Sequence, residues 1–143
     1  MITGGMGFIG SHLSEELLSE KHNLVILTKS FFKKQNITNI SKKIKVEKID
    51  VTDFKKLGKS IQKNKPDVII VDPPRSGLHK NTVDTIIKYT SCKIVYVSCN
   101  PSTQARDVNI LINNGYSVKN IQPIDMFPHT PHIENITLLT NNE

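Results

Sequence analysis

The sequence predicts an α/β protein with a doubly wound, mostly parallel sheet. Short apolar runs alternate with segments of helical periodicity along the 143 residues. A glycine-rich turn joins the first apolar run to the first helical segment. The last two strand-like segments have no helix between them, so they are expected to form an antiparallel hairpin at one edge. A chain of this length builds one core, and two halves of different character must share it.

The N-terminal half is expected to contain three strands and two helices. The predicted elements are a strand at 2–3, a helix at 11–19, strands at 24–27 and 44–49, and a helix from 53 to about 63. Asp53 is the predicted cap of the second helix. The segment 29–43 is rich in Lys and Asn, and we expect an exposed loop with a short helix there.

The C-terminal half is expected to contain four strands and two helices. Residues 68–71 are fully apolar, as in a strand covered on both faces, and Asp72-Pro73-Pro74 ends that strand. The remaining predicted elements are a helix at 81–89, a strand at 93–97, a helix at 103–114, and strands at 116–124 and 133–140. Alternating units of this length favour a parallel sheet with helices on both faces.

Composition excludes several classes of protein. The sequence has no apolar run near 18 residues and no signal-peptide layout at its start, so a soluble cytoplasmic protein is expected. Cys92 and Cys99 form neither a framework disulfide nor a CxxC metal pair, which leaves Cys99 free for chemistry. The formal charge of +6 suits a polyanion such as RNA, although an AT-rich coding background would produce the same excess of Lys.

A glycine pattern occupies the first strand-to-helix turn. Its members are Gly4, Gly5, Gly7 and Gly10. Such a turn lets backbone N–H groups approach a pyrophosphate. The strings TGGMGFIGSHL, DVTD and KPDVI resemble the extended short-chain dehydrogenases, the nucleotide-sugar epimerases and dehydratases, over residues 1–70. The resemblance implies NAD(P) on the glycine turn, with Asp50 and Val51 around the adenine. Alternatively, the glycines only close the turn.

Two departures from that family bear on function. Thr28 and Lys29 stand where an acidic residue would hold a ribose hydroxyl, so Lys29 favours a 2′-phosphate and therefore NADP. Tyr89 and Lys93 match the spacing of the family's catalytic pair, but they are predicted at a helix-to-strand turn and are interpreted as a coincidence. The N-terminal half is thus expected to lack the family's chemistry.

Three strings in the C-terminal half carry a second resemblance. They are DPPRSG from Asp72, IVYVSCNPST around Cys99, and IDMFPHTPHIE ending at Glu134. In this order they resemble the RNA uridine-C5 methyltransferases that modify tRNA and 23S rRNA, over residues 66–143. The resemblance implies a Rossmann-like domain, S-adenosyl-L-methionine (AdoMet) as cofactor and RNA as partner. A C-terminal hairpin is typical of AdoMet-dependent methyltransferases, so the expected sheet order is 3-2-1-4-5-7-6.

The methyltransferase resemblance implies a role for each matching residue. Cys99 is the expected nucleophile at uracil C6, because C5 attacks a methyl sulfonium only after such an addition. Glu134 is the expected base that removes the C5 proton, and Asp72 is expected to contact AdoMet. The residues expected to shape the substrate loop and the turn behind the nucleophile are Pro73, Pro74, Arg75, Asn100 and Pro101.

The two resemblances meet within residues 65–71, where both families have a similar fourth strand. One domain over 1–143 is expected, with an epimerase-like half at 1–70 and a methyltransferase-like half at 71–143. His129 and His132 lack carboxylate or thiol companions, so they are interpreted as loop packing or RNA contacts and no metal is expected. AdoMet has no pyrophosphate for the glycine turn. Three functions therefore stay open: an RNA methyltransferase, an NAD(P)-binding module without catalysis, and an inactive chimeric fragment.

Overall fold

A computed structural model describes residues 1–31, 34–90 and 92–141. Its strands are β1 (Ile2–Thr3), β2 (Val25–Thr28), β3 (Lys45–Lys48), β4 (Val68–Val71), β5 (Lys93–Ser98), β6 (Tyr116–Ile124) and β7 (Glu134–Asn141). Its α-helices are α1 (Phe8–Ser19), α2 (Phe54–Asn64), α3 (Lys80–Tyr89) and α4 (Pro101–Ile112), and a short 3-10 helix spans Lys34–Ile37. The strands and helices alternate as the sequence predicts.

The seven strands form one sheet in the order β3-β2-β1-β4-β5-β7-β6, which confirms the predicted order. Strands β1 to β5 run parallel to one another, whereas β7 is antiparallel to its two neighbours, β5 and β6. The central strand β1 is only two residues long, and Ile2 lies opposite Ile26 on one side and Ile70 on the other. This order brings the carboxyl ends of β1, β4 and β5 to one edge of the sheet.

Capping residues decide where the helices begin. The Asp53 carboxylate accepts a hydrogen bond from the Lys56 N–H at 3.2 Å, which confirms the predicted cap of α2. Asn100 caps α4 by accepting from the Ser102 N–H at 3.2 Å, and Pro101 takes the first helical position. Helix α4 therefore starts before the predicted residue 103, directly behind Cys99. Helix α1 starts at Phe8 because the turn ends at Gly7, which is extended.

The main core lies between the sheet and helices α2, α3 and α4, and both halves of the chain contribute to it. Its fully or almost fully buried side chains include Leu27, Leu57, Ile61, Ile69, Val83, Ile94, Tyr96, Leu111 and Leu139. A second cluster, of Met6, Ile26, Ile37 and Ile40, lies on the other face of β2, since neighbouring strand residues point to opposite faces. The expectation of an exposed loop at 29–43 is therefore wrong for Ile37 and Ile40, which anchor that segment.

Two further observations concern the chain as a whole. Within residues 1–31, 34–90 and 92–141, no helix is long and apolar enough to cross a membrane. Helix α3 ends at Tyr89 and β5 begins at Lys93, so these two residues do not share a helix.

Candidate functional site

A cleft of about 1100 Å³ opens at the carboxyl edge of the parallel strands. Residues of both halves line it. From the N-terminal half come Thr3, Gly4, Gly7, Thr28, Lys29, Asp50 and Val51, and from the C-terminal half come Asp72, Pro73, Pro74, Gly77 and Leu78. The volume lies near the upper end of the range for sites that hold cofactor-sized ligands. Members of both sets of predicted cofactor residues therefore line one cleft.

The glycines of the first turn are needed for different structural reasons. Gly4 has a φ of +68°, which strains any other L-residue, and a side chain there would approach the Asp72 carbonyl. A Cβ at Gly10 would lie 2.5 Å from the Gly4 carbonyl oxygen, and one at Gly5 would lie 2.9 Å from Ile26. Gly5 and Gly10 are buried and do not line the cleft. Gly4 and Gly7 face it, so only part of the glycine pattern is placed to meet a ligand.

An ion pair occupies the β2–β3 end of the cleft. Lys29 Nζ lies 3.1 Å from Asp50 Oδ2, and the Lys29 side chain is 82% exposed. Asp50 also accepts hydrogen bonds from the backbone N–H and hydroxyl of Thr52, at 3.0 and 2.8 Å. These Thr52 hydrogen bonds, followed by Lys29, hold the pKa of Asp50 below its ordinary value. The Asp50 carboxylate is therefore fixed at the cleft wall, while Lys29 keeps an exposed, flexible side chain.

Cys99 and Glu134 lie at the neighbouring part of the same edge. The last pair in the antiparallel register of β5 and β7 is Ser98 with Asn135. Cys99 directly follows Ser98 and Glu134 directly precedes Asn135, so both residues lie at the same end of this strand pair. Neither residue lines the cleft, but Asp72 does, and its charge acts on Glu134. Asp72 thus lines the cleft and also lies near Glu134.

Burial raises the pKa of both carboxyl groups at this edge. Glu134 is 8% exposed, and its pKa is raised first by burial and then by the charge of Asp72. Burial alone raises the pKa of Asp72. Within the part of the chain that the structure describes, no hydrogen bond or ion pair engages either side-chain carboxylate. Both groups are therefore available to a ligand or to a proton.

The predicted loop residues lie against the turn that follows Cys99. Asn100 Nδ2 donates to the Arg75 carbonyl at 3.1 Å, and the Thr103 hydroxyl donates to the same oxygen at 3.0 Å. The Arg75 guanidinium extends to His132 Nδ1, 3.3 Å away, in the loop between β6 and β7. Pro73 lines the cleft with Pro74, and Pro101 begins α4. The three matching strings of the sequence therefore meet in space.

Two polar residues of α4, Arg106 and Asp107, line the cleft but were not predicted from the sequence. Asp107 is 1% exposed and lines the floor of the cleft beside Arg106. The signal was present, because the buried face of α4 is Gln104, Asp107, Val108 and Leu111, which is helical spacing with two polar members. Polar residues on a buried stripe need partners, and Asp107 finds them in the loop that carries Arg75. No group of three or more potential metal ligands occurs among residues 1–31, 34–90 and 92–141.

Sequence comparison separates the two halves. The sequence model of the tRNA (uracil-5-)-methyltransferase family matches residues 45–142. The chain belongs to the tRNA (uracil-5-)-methyltransferase family. The model of GDP-mannose 4,6-dehydratase matches residues 1–71, which agrees with the epimerase-like resemblance of the N-terminal half. The methyltransferase match begins upstream of the expected residue 66, so the two matches overlap over 45–71.

Curated RNA methyltransferases match about half of this chain. An uncharacterized RNA methyltransferase of Bacteroides thetaiotaomicron is 58% identical over 78 residues, which are 54% of this chain and 17% of the relative. One of Enterococcus faecalis is 57% identical over 75 residues, which are 52% of this chain and 16% of that protein. The chain therefore spans less than a fifth of the length of these relatives.

Solved structures resemble the chain over different lengths. The Pyrococcus abyssi tRNA (uracil-54, C5)-methyltransferase, in complex with S-adenosyl-L-homocysteine, is 32% identical with a TM-score of 0.75 and covers 97% of this chain and 33% of that chain. The Bordetella bronchiseptica enzyme WbmG, in complex with NAD and UDP, is 21% identical with a TM-score of 0.51. The match covers 63% of this chain and 32% of that chain. The second likeness concerns the fold alone.

Proposed function

We propose that this chain is the catalytic part of an AdoMet-dependent RNA uridine-C5 methyltransferase, with Cys99 as nucleophile and Glu134 as base. The observation that carries the proposal is the register of β5 and β7, which ends at Ser98–Asn135 and so brings Cys99 and Glu134 to the same end of the strand pair, with Asp72 near Glu134. Membership of the family, and the likeness to a tRNA (uracil-54, C5)-methyltransferase over 97% of the chain, support it.

The reaction begins at Cys99. Its thiolate adds to C6 of the uracil ring, forming an S–C6 bond while the electrons of the C5=C6 bond move onto the O4 oxygen as an enolate. AdoMet, held at the Asp72 side of the cleft, would supply an electrophilic methyl group to C5 of the adduct and would keep the electron pair of its S–CH₃ bond as S-adenosyl-L-homocysteine. Cys99 then holds a C5-methylated ring that still carries the C5 proton. The thiol cannot leave until that proton is removed.

Glu134 completes the reaction. Its carboxylate takes the C5 proton, the electrons of the C5–H bond re-form C5=C6, and the S–C6 pair returns to Cys99 as thiolate. A carboxylate with a raised pKa is a stronger base than an exposed one, and burial gives Glu134 this property. Glu134 is the first residue of β7 and pairs with Ile124 of β6, so the sheet holds its backbone.

The cleft residues are compatible with an adenosine ligand such as AdoMet. Asp72 is a half-buried carboxylate with no partner in the described chain, and a cationic amino group would both pair with it and lower its pKa. Asp50 and Val51 line the far end of the cleft, where the adenosine would lie.

The loop between β6 and β7 is the proposed contact with RNA. It leaves the sheet at Ile124 and returns at Glu134, which are paired across the two strands. Phe127 is 48% exposed and Arg75 extends to His132 at the side of this loop. Exposed aromatic rings stack on unpaired bases, and cationic side chains bind phosphate. The formal charge of +6 favours the same partner.

The test is covalent trapping with RNA that carries 5-fluorouridine, in the presence of AdoMet. Fluorine at C5 cannot leave as a proton, so the Cys99 adduct should persist and shift the protein on a denaturing gel. Cys99→Ala should abolish the adduct. Cys92→Ala is the matched control, because Cys92 is a second free cysteine just before β5, at its opposite end, and it should leave the adduct intact. Equal adduct formation by Cys99→Ala would show that the assignment is wrong.

A second candidate function is the binding of NAD(P) at the same cleft. The match of residues 1–71 to a dehydratase family and the position of Gly4 and Gly7 on the cleft favour it. Lys29 must leave Asp50 to meet a 2′-phosphate, and its 82% exposed side chain is free to do so. The chemistry of a dehydrogenase is not part of this candidate, because Tyr89 and Lys93 do not share a helix.

Calorimetry with NADP and NAD tests this candidate. NADP should bind about fivefold more tightly, the equivalent of roughly one ion pair in water, and Lys29→Ala should remove the preference. S-adenosyl-L-homocysteine should compete with either dinucleotide, since the ligands would occupy one cleft. Equal affinities of the parent protein for NADP and NAD would exclude the role given to Lys29.

A further inference from the structure

Helix α4 joins the nucleophile's turn to the loop of the cleft. It begins two residues after Cys99, and its first two turns face the segment 73–78 that follows Asp72. The cap residue Asn100 and Thr103 both donate to the Arg75 carbonyl, at 3.1 and 3.0 Å. The next helical turn brings Arg106 and Asp107 to the same segment. One helix therefore holds the loop at several successive carbonyl and N–H groups.

Asp107 is the buried centre of these contacts. Its Oδ2 accepts from the Leu78 N–H and from the Tyr96 hydroxyl, both at 2.7 Å. Its Oδ1 accepts from Nε and Nη2 of Arg106, at 2.9 and 2.7 Å. Burial, and then the hydrogen bond to Asp107, raise the pKa of Tyr96, so this hydroxyl stays a donor. Because Tyr96 lies three residues before Cys99, Asp107 links β5, α4 and the loop.

Arg106 holds the backbone of the loop from the other side. Its Nη2 donates to the Ser76 carbonyl at 3.0 Å and to the Leu78 carbonyl at 3.3 Å. Gly77 lies between these carbonyls with a φ of +78°, and a Cβ there would lie 2.6 Å from Asp107 and 2.7 Å from Arg106. The loop therefore packs directly against Arg106 and Asp107, and its path leaves no room for a side chain at residue 77.

We infer that Arg106 and Asp107 are positioning residues that keep the cleft loop in register with Cys99. They form no part of the reacting set, and their role is to fix the distance between Asp72 at the cleft and the thiol at the end of β5. The identity of Cys99 as a reacting group rests on the proposed function. The coupling between the loop and the Cys99 thiol rests on the hydrogen bonds alone.

The test is the rate at which iodoacetamide alkylates Cys99, resolved from Cys92 by peptide mass spectrometry. Arg106→Lys keeps the positive charge and loses the planar fork that reaches two carbonyls and Asp107. We expect the rate at Cys99 to rise by about threefold or more, because a loosened loop exposes this partly buried thiol more often, while the rate at Cys92 in the same molecules stays constant. Asn109→Ala, an exposed position of the same helix, is the control and should change neither rate.

A second variant and a binding measurement complete the test. Thr103→Val keeps the side-chain shape and removes the hydroxyl that holds the Arg75 carbonyl, so it replaces Arg106→Lys if that variant fails to fold. Affinity for S-adenosyl-L-homocysteine should fall in parallel with the change at Cys99. If the parent does not bind it, the proposed cofactor is wrong, while the alkylation result still tests the coupling. Unchanged Cys99 rates in both folded variants would overturn the inference.

Discussion

Glu134 occupies a position where a carboxylate is costly to ionise. It is 8% exposed, and its pKa is raised by burial and by the nearby charge of Asp72. A residue selected for stability alone would be neutral at such a place, so the cost is consistent with a functional role. The sequence predicted this residue through its string IDMFPHTPHIE, but the raised pKa could not be predicted, because it depends on how β7 packs beside β5 and Asp72.

The role of Glu134 predicts a separation of two steps. Glu134→Gln keeps the shape of the side chain and removes its basicity, so attachment of Cys99 to RNA should proceed while release of the product stops. A methylated, covalent RNA–protein complex should accumulate with ordinary uridine RNA and AdoMet, and mass spectrometry would detect it. Normal turnover by the variant would show that another group removes the C5 proton.

The raised pKa values also predict how stability depends on pH. Asp72 and Glu134 have ordinary pKa values of 3.8 and 4.5, and the fold raises both. At pH values between the ordinary and the raised pKa, the folded state binds more protons at these groups than the unfolded state does. Stability contributed by these groups is therefore present at low pH and lost as pH rises through their folded pKa values. In urea titrations Glu134→Gln should be more stable than the parent at neutral pH, with a smaller difference toward pH ~4.

Glu15→Gln, at an exposed position of α1, is the control for that measurement. It should show no gain in stability at neutral pH. A parent protein whose stability relative to Glu134→Gln rises with pH would contradict the assigned direction.

At the scale of elements, the contact between α2 and α3 depends on one glycine. A Cβ at Gly58 of α2 would lie 2.5 Å from the ring of Tyr89 in α3. Gly58→Ala should therefore destabilise the fold by about 1–3 kcal/mol, as overpacking does, although Ala favours helix over Gly by about 1 kcal/mol. The free energy of unfolding in urea measures the difference.

The matched experiment repeats the change in a Tyr89→Ala background. Without the ring, Gly58→Ala should become neutral or stabilising, because only the helix propensity is left. The same cost in both backgrounds would show that the ring is not the cause.

At the scale of the whole molecule, the sheet order and the meeting of the three strings could be predicted from the sequence. Right-handed crossovers limit the possible topologies, and the resemblance of the C-terminal hairpin to that of AdoMet-dependent methyltransferases selects the order among them. The burial of Ile37 and Ile40 could not be predicted, because a polar segment of this length shows no periodicity. The buried face of α4 could be predicted from its helical spacing, but the partners of Asp107 could not, because Leu78 and Tyr96 meet it only in the folded sheet.

The short central strand has a consequence for biosynthesis. Strand β1 pairs with β2 on one side and with β4 on the other, and its partner Ile70 is synthesised 68 residues after Ile2. Until β4 has left the ribosome, one edge of β1 has no neighbour, and the main core lacks every side chain of the second half. The nascent N-terminal half therefore exposes an open sheet edge and apolar side chains throughout this interval, which is when aggregation or chaperone capture competes with folding.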